Sequence, residues 1–286
     1  MLKKKIAYAQ DFLREHDQLF ECPKCHQSMT LIDGQSLGCD NKHHYNLSKK
    51  GTIHFPDHHM SSDYDKEMLE HRRMMIQAGL YEPILDQIKS VIGNDDSRVI
   101  VDMGCGEGSF LEELSKKINS SDILIGFDLS KEGVLLASDY AERAFWFIGD
   151  VTAVPLKQQS ADYLLNIFSP SHYEEMTRIL KDDGLVIKVI PEENYLKEMR
   201  LLFYKDNEEK QNYSNEKIYN KFQNKMKVVS EKRITYSFPI TADDYEHVLK
   251  MSPLMWGASE LSKEYALVHP FTEITIDVKI LIGRKA

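Results

Sequence analysis

Apolar positions along this chain follow two rhythms. Between Lys66 and Ile92 they recur at helical spacing: Met68, Leu69, Met75 and Ile76 in one run, then Ile84, Leu85, Ile88, Val91 and Ile92. The pattern predicts a helix over Lys66–Gln77, broken at Gly79. A second helix starts at Tyr81-Glu82-Pro83, where a proline in the first turn forfeits no hydrogen bond. From residue 97 onwards, short apolar runs alternate with helical stretches. Strands are expected at 98–103, 122–128, 144–149, 161–168 and 184–190, and helices at 109–118, 131–141 and 171–180. That alternation is the mark of a parallel sheet covered by helices. Tyr195, Leu196, Met199, Leu202 and Phe203 mark another helix. Asp206–Asn215 is polar, and Ser214 can cap a short helix through Phe222. Segments 232–239 and 272–283 alternate in the strand period, with a helix at 242–251 between them. They read as strands six and seven, closing the sheet as a hairpin.

The first 60 residues have a different texture. Residues 1–20 read as a helix, with Phe12, Leu13, His16 and Phe20 near one face. The segment 28–38 reads as a hairpin turning at Asp33-Gly34, and 45–55 as a strand pair turning at Lys50-Gly51. Residues 56–63 lack periodicity and read as a linker. Two domains are therefore expected, 1–60 and 61–286.

The chain has 286 residues, 42% hydrophobic and 28% charged, enough apolar side chains for a full core. Its net charge of −9 argues against indiscriminate nucleic-acid binding. Residues 1–60 hold eight Lys/Arg against seven Asp/Glu, so the acidity lies in the remainder, and a local basic face near the N-terminus stays open. No stretch approaches a membrane span or a signal peptide. A cytoplasmic protein without membrane contact is the expectation.

Three of the four cysteines fall in one segment: Cys22-x-x-Cys25, then Cys39-x-x-x-His43. A two-thiolate knuckle, returned to by a hairpin carrying a third thiolate and an imidazole, suits a closed tetrahedral zinc site with no position left for water. His44 competes for the fourth place. His26 is expected beside the site or exposed, and His54, His58 and His59 read as a solvated loop.

The second candidate site is Asp102-x-Gly104-x-Gly106-Glu107-Gly108, between a strand and a helix. A strand, glycine turn and helix present backbone N–H groups to a ligand. The spacing departs from a dinucleotide fingerprint, since Ser109 stands where its third glycine would fall. The pattern resembles the first motif of class I S-adenosylmethionine methyltransferases. Asp128, with Leu129 after it, ends the next strand, where a carboxylate can accept from both hydroxyls of a ribose. Asp150 ends the third strand; it can meet an adenine amino group or simply close a turn.

Nearly end to end, the chain resembles the RlmA-type ribosomal RNA large-subunit guanine-N1 methyltransferases. The carriers are the Cys/His motif above, Arg72-Arg73…Ala78-Gly79-x-Tyr81, the glycine loop, Phe127-Asp128-x-Ser130-Lys131, Ile167-Phe168-Ser169-Pro170, Ile187-Lys188-Val189-Ile190-Pro191 and Met251-Ser252-Pro253. The fourth-strand and fifth-strand motifs look like the Gram-positive, TlrB-like subgroup. The resemblance implies a seven-stranded Rossmann-like catalytic domain, a zinc module that recognises 23S ribosomal RNA, and a homodimer. It implies S-adenosylmethionine as cofactor and a guanine in a domain II hairpin at the peptide exit tunnel as target. It also implies cofactor contacts from Tyr81, Gly106 and Glu107; a further contact, often His in the family, falls on Tyr195. Ser169-Pro170 is expected to shape the substrate pocket, and no general base is named. Lys42, Lys49, Lys50, Arg72 and Arg73 are candidate phosphate contacts. Met251 and Trp256 read as core. The alternative is a small-molecule methyltransferase whose zinc module binds a protein.

Overall fold

A computed structural model describes residues 3–57, 65–93, 97–205, 207, 211 and 213–286. The expectations for His58 and His59, most of the linker and half of 206–215 lie outside the described residues; the helix expected from Ser214 runs Glu216–Lys225 with Asn215, not Ser214, at its start and no side-chain cap.

The chain begins with α1 (Lys5–His16) and a short 3-10 turn, followed by β1 (Met29–Ile32), β2 (Ser36–Cys39), β3 (His44–Asn46) and β4 (Thr52–His54). Next come α2 (Lys66–Gln77), α3 (Glu82–Ile92), β5 (Val99–Met103), α4 (Ser109–Ser115), β6 (Ile123–Asp128), α5 (Lys131–Ala137) and β7 (Phe145–Ile148). The remainder is β8 (Ala161–Ile167), α6 (Tyr173–Ile179), β9 (Leu180–Pro191), α7 (Lys197–Phe203), α8 (Glu216–Lys225), β10 (Lys227–Pro239), α9 (Ala242–Lys250), α10 (Glu260–Val268) and β11 (Glu273–Arg284).

One sheet runs β10-β11-β9-β8-β5-β6-β7-β4. It contains the seven expected strands, with the last two antiparallel as a hairpin. The eighth strand comes from the N-terminal segment. Residues 45–55 were expected to pair with each other, and they do not. β3 pairs antiparallel with β2, whereas β4 pairs parallel with β7, Ile53 opposite Phe147. The physical reason is burial. Ile53 and Phe55 are fully apolar and find Phe147 at the open sheet edge, with the Phe55 and Phe147 rings 5.2 Å apart. Pairing there also covers an edge that would otherwise expose unpaired N–H and C=O groups.

The N-terminal helix packs on the same sheet. Phe12 stacks on Phe145 at 5.0 Å, and Phe20 meets Phe145 edge-on at 5.6 Å. Leu13, Phe20, Met29, Leu37 and Ile53 thus belong to one apolar cluster with Val101, Ile125, Phe127 and Leu164 of the sheet. The opposite face of the sheet is covered by α2, α3, α4, α7 and α9. Among the described residues one helix was missed. α10, capped by Ser259 accepting from the Ser262 N–H, buries only Ser262 and Ala266 and leaves Leu261, Leu267 and Val268 exposed. Its large apolar residues do not face the core, so periodicity carried no signal.

Candidate active site and metal centre

The glycine loop joins β5 to α4 with Gly104, Gly106 and Gly108 at φ of 81°, 56° and 86°. That left-handed region suits glycine, which carries no Cβ to clash. A Cβ on Gly104 would stand 2.6 Å from Ser169 Cβ, so the loop and the Ser169-Pro170 turn are in direct apposition. Gly104 and Cys105 N–H groups donate to the Phe127 carbonyl at 2.9 and 3.0 Å. Asp128 then ties the loop to the next strand: Oδ2 accepts from Gly106 N at 2.8 Å and Oδ1 from Ser130 N at 2.7 Å. Its remaining lone pairs stay available to a ligand.

A cavity of about 700 Å³ opens over this loop, at the carboxyl ends of the parallel strands, where such sheets bind ligands. Of the expected cofactor set, Tyr81, Gly104, Gly106, Glu107, Asp128, Leu129, Asp150 and Tyr195 line it. Asp102 and Gly108 do not. Asp102 lies beneath the loop, 1% exposed, and Gly108 is pressed against Ala137 and Trp146, where a Cβ would meet atoms at 2.8 and 2.9 Å. Asp150 closes a turn, its Oδ1 accepting from Thr152 N at 2.8 Å, and the residue also borders the cavity.

Three carboxyl groups crowd this end of the cavity. Burial, then the neighbouring Asp128 and Glu107, push Asp102 up to about 8. Burial raises Glu107 and Asp128 as well, against the N–H groups that lower them. A site that drives three acids towards neutrality is one that a cationic ligand would stabilise.

The opposite wall is aromatic. The Tyr81 and Tyr195 hydroxyls lie 2.7 Å apart, and Phe168 stacks on Tyr195 at 5.2 Å and approaches Tyr81 at 5.7 Å. Phe168 and Leu196 hold φ of 54° and 53°. Bulky residues rarely occupy that region, and such strain clusters at functional sites. Met251 and Trp256 also line the cavity, Met251 buried and Trp256 with 44% of its surface exposed. The core assignment therefore holds for Met251 and fails for Trp256. Periodicity could not place Trp256, because its position depends on how the α9–α10 connection packs against α7 and α9.

Cys22, Cys25, Cys39 and His43 form the one metal-ligand cluster found among the described residues, with all ligand atoms within 4.8 Å of one another. Cys22 Sγ to His43 Nδ1 is 3.4 Å, Cys39 Sγ to His43 Nδ1 3.6 Å and Cys25 Sγ to Cys39 Sγ 3.6 Å. These edges match a tetrahedron with metal–sulfur bonds of about 2.3 Å. The Gln27 N–H draws the Cys25 thiol down to about 6, towards the thiolate a metal needs. His44 is exposed on β3, and His26 turns to Glu21 at 3.2 Å.

The cluster is coupled to the cavity through one short loop. Asp150 and Val151 border the cavity; four residues later the chain meets the metal lobe, where Glu21 N donates to Pro155 O and Lys157 N to Leu19 O. Arg178 of α6 clamps the junction, donating to Glu21 Oε1, Leu156 O and Val154 O at 2.6–2.8 Å. Among the candidate phosphate contacts, Lys42, Lys49 and Lys50 are exposed. Arg73 is not aimed at solvent: it donates to Asp139 and to the Glu107 carbonyl. Arg72 lines the cavity and donates to Met251 O at 3.2 Å.

The sheet order, the glycine loop and the acids at the strand ends define a class I S-adenosylmethionine-dependent methyltransferase fold. A methyltransferase domain model matches residues 100–184. An S-adenosylmethionine-dependent methyltransferase from Aquifex aeolicus superposes with a TM-score of 0.52 at 14% identity, over 78% of this chain and all of its own length. The Bacillus subtilis (strain 168) protein YxjB, which carries a provisional assignment as a 23S rRNA (guanine-N(1)-)-methyltransferase, is 35% identical over 93% of this chain and 97% of the relative. The 23S rRNA (guanine(748)-N(1))-methyltransferase of Streptomyces fradiae is 24% identical over 92% and 95%. The chain belongs to the 23S rRNA (guanine-N1)-methyltransferase family.

Proposed function

We propose that the protein transfers a methyl group from S-adenosylmethionine to N1 of a guanine in 23S ribosomal RNA. The observation that carries this reading is family membership across 93% of the chain, joined to a cavity in which a cofactor cradle and the Ser169-Pro170 turn touch. The glycine loop, Tyr81, Glu107, Asp128, Leu129, Asp150 and Tyr195 hold the cofactor. The donor supplies an electrophilic sulfonium methyl, so the protein's main task is alignment. Guanine N1 faces its pairing partner, and the base must be unpaired or flipped to enter. Ser169-Pro170 and the exposed Trp256 indole receive it, an aromatic face being a stacking platform for any base.

Residues 1–60 serve as the RNA-recognition lobe, with zinc at Cys22, Cys25, Cys39 and His43 and phosphate contacts from Lys42, Lys49 and Lys50. Residues 61–286 carry the catalytic cavity. The protein acts as a homodimer on a guanine of the domain II hairpin at the peptide exit tunnel. No described helix is long and apolar enough to cross a membrane, which fits a cytoplasmic site of action.

Reverse transcription of 23S RNA from cells with and without the gene tests the reading, because a methyl at N1 blocks pairing. A gene-dependent stop one nucleotide before a guanine is the expected result. If instead the purified protein labels small molecules and leaves ribosomal RNA unmarked, the small-molecule alternative replaces it.

A further inference from the structure

Lys188 is a cation in an unusual place. It lies on β9, 3% exposed, and borders the cavity. Its Nζ donates to Asn166 Oδ1, to Ser171 Oγ at 2.8 Å and to Ser169 O at 3.3 Å. All three acceptors are neutral, and among the described residues no carboxylate contributes to its electrostatics. A buried unpaired ammonium is costly, so such a group either finds an anion or gives up its proton. The charged groups of the cavity do not relieve it. Glu107 and Asp128 stand at the glycine loop, Asp150 at the end of β7, Arg72 on α2, and Tyr81, Tyr195 and Tyr213 are phenols. From α8, Lys221 adds a like charge. Burial first and Lys221 second bring Lys188 down to about 8.

Its neighbours are those of the target base. Asn166 Nδ2 donates to Ser169 Oγ at 2.6 Å and to Pro170 O at 2.9 Å, and Ser169 Oγ donates to Met103 O at 2.7 Å, the residue before the glycine loop. One chain of contacts thus runs from the cofactor cradle through Ser169 to Lys188.

We propose that Lys188 is the group that accepts the N1 proton of the guanine. The inference rests on the reading above. The neutral amine has two N–H groups, so it gives up the long contact to Ser169 O and keeps Asn166 Oδ1 and Ser171 Oγ; the lone pair so freed takes the proton from N1, and the amine becomes an ammonium. The electron pair left on N1 forms the N1–methyl bond as the methyl–sulfur bond breaks, its electrons passing to sulfur. N1-methylguanine and a neutral thioether remain, and Lys188 returns its proton to water before the next turnover. An amine with a lowered pKa is well matched to this task, since a general base works best when it titrates near the working pH.

The test is the pH profile of single-turnover methylation of a 23S RNA fragment by the wild type, K188M and K188R, with cofactor affinity measured in parallel. The wild-type rate should rise with pH and level off near 8. K188M should bind S-adenosylmethionine as the wild type does and react at least roughly 100-fold more slowly at neutral pH. Its rate should keep climbing tenfold per pH unit as N1 ionises unaided. K188R keeps a cation and its donors but holds its proton, so it should behave like K188M; restored activity in K188R would assign Lys188 a positioning role and overturn the proposal. So would a K188M rate within threefold of the wild type or an unchanged plateau. Independently of turnover, the Lys188 13Cε resonance of the wild type should titrate near 8, and a value above 10 would overturn the proposal even if both variants fail to fold. A wild type that methylates no guanine would sink the functional reading instead.

Discussion

At the scale of single residues, the cavity is organised by acids that cannot all ionise. Burial, with Asp128 and Glu107 beside it, pushes Asp102 up to about 8, and burial raises Glu107 and Asp128 too. For an acid whose folded-state value is raised, the folded protein binds the extra proton, so the free protein loses stability as pH rises from about 4 to about 8. A sulfonium cofactor reverses that balance by favouring the carboxylates. Affinity for S-adenosylmethionine should therefore strengthen from pH 6 to pH 8, by up to about tenfold per unit for each proton released. S-adenosylhomocysteine, which lacks the sulfonium charge, should show a flatter dependence. Calorimetric titrations of both ligands across that range check this, and equal slopes would mean that the acids do not sense the sulfonium.

At the scale of elements, the four candidate metal ligands bracket the short N-terminal hairpins. β1 to β3 are strands of three or four residues, too short for independent stability. A four-ligand ion bound there would cross-link the 22–25 knuckle to the 39–43 return and supply folding free energy directly. The purified protein should carry one zinc per chain. A strong chelator, or Cys39→Ser, should lower the melting temperature by several degrees and expose the amides of β1–β3 to hydrogen exchange. A metal-free protein with full protection there would refute the assignment. The knuckle spacing made this element readable from the chain. By contrast, β4 and α10 were misread or missed, because three residues such as Thr52-Ile53-His54 state an extended conformation without stating their partner, and α10 turns its apolar side outwards.

At the scale of the whole molecule, the N-terminal lobe is built into the catalytic sheet. Ile53 is fully buried among Phe20, Phe127 and Phe147, and β4 covers the sheet edge. Ile53→Ala should cost about 2–5 kcal/mol. The loss should appear as one cooperative transition at lower denaturant, with faster amide exchange in β7 as well as β4. A separate early transition confined to the first 57 residues would show two independent units instead. The same continuity gives a route from the metal lobe to the cavity, through Arg178 and the 150–157 loop.

The order of local signals along the chain determined the alternating strands and helices, the glycine cradle with Asp128, and the Cys3His ligand set. Each of these depends on residues close in sequence, or on a spacing that only one chemistry satisfies. Tertiary structure alone decided that β4 joins the sheet, that Asp102 and Gly108 lie behind the cavity wall, that Trp256 borders the cavity and that Lys188 is buried with no counter-ion among the described residues. Those outcomes depend on which surfaces meet, and burial acts between segments more than 90 residues apart, as Ile53 and Phe147 do.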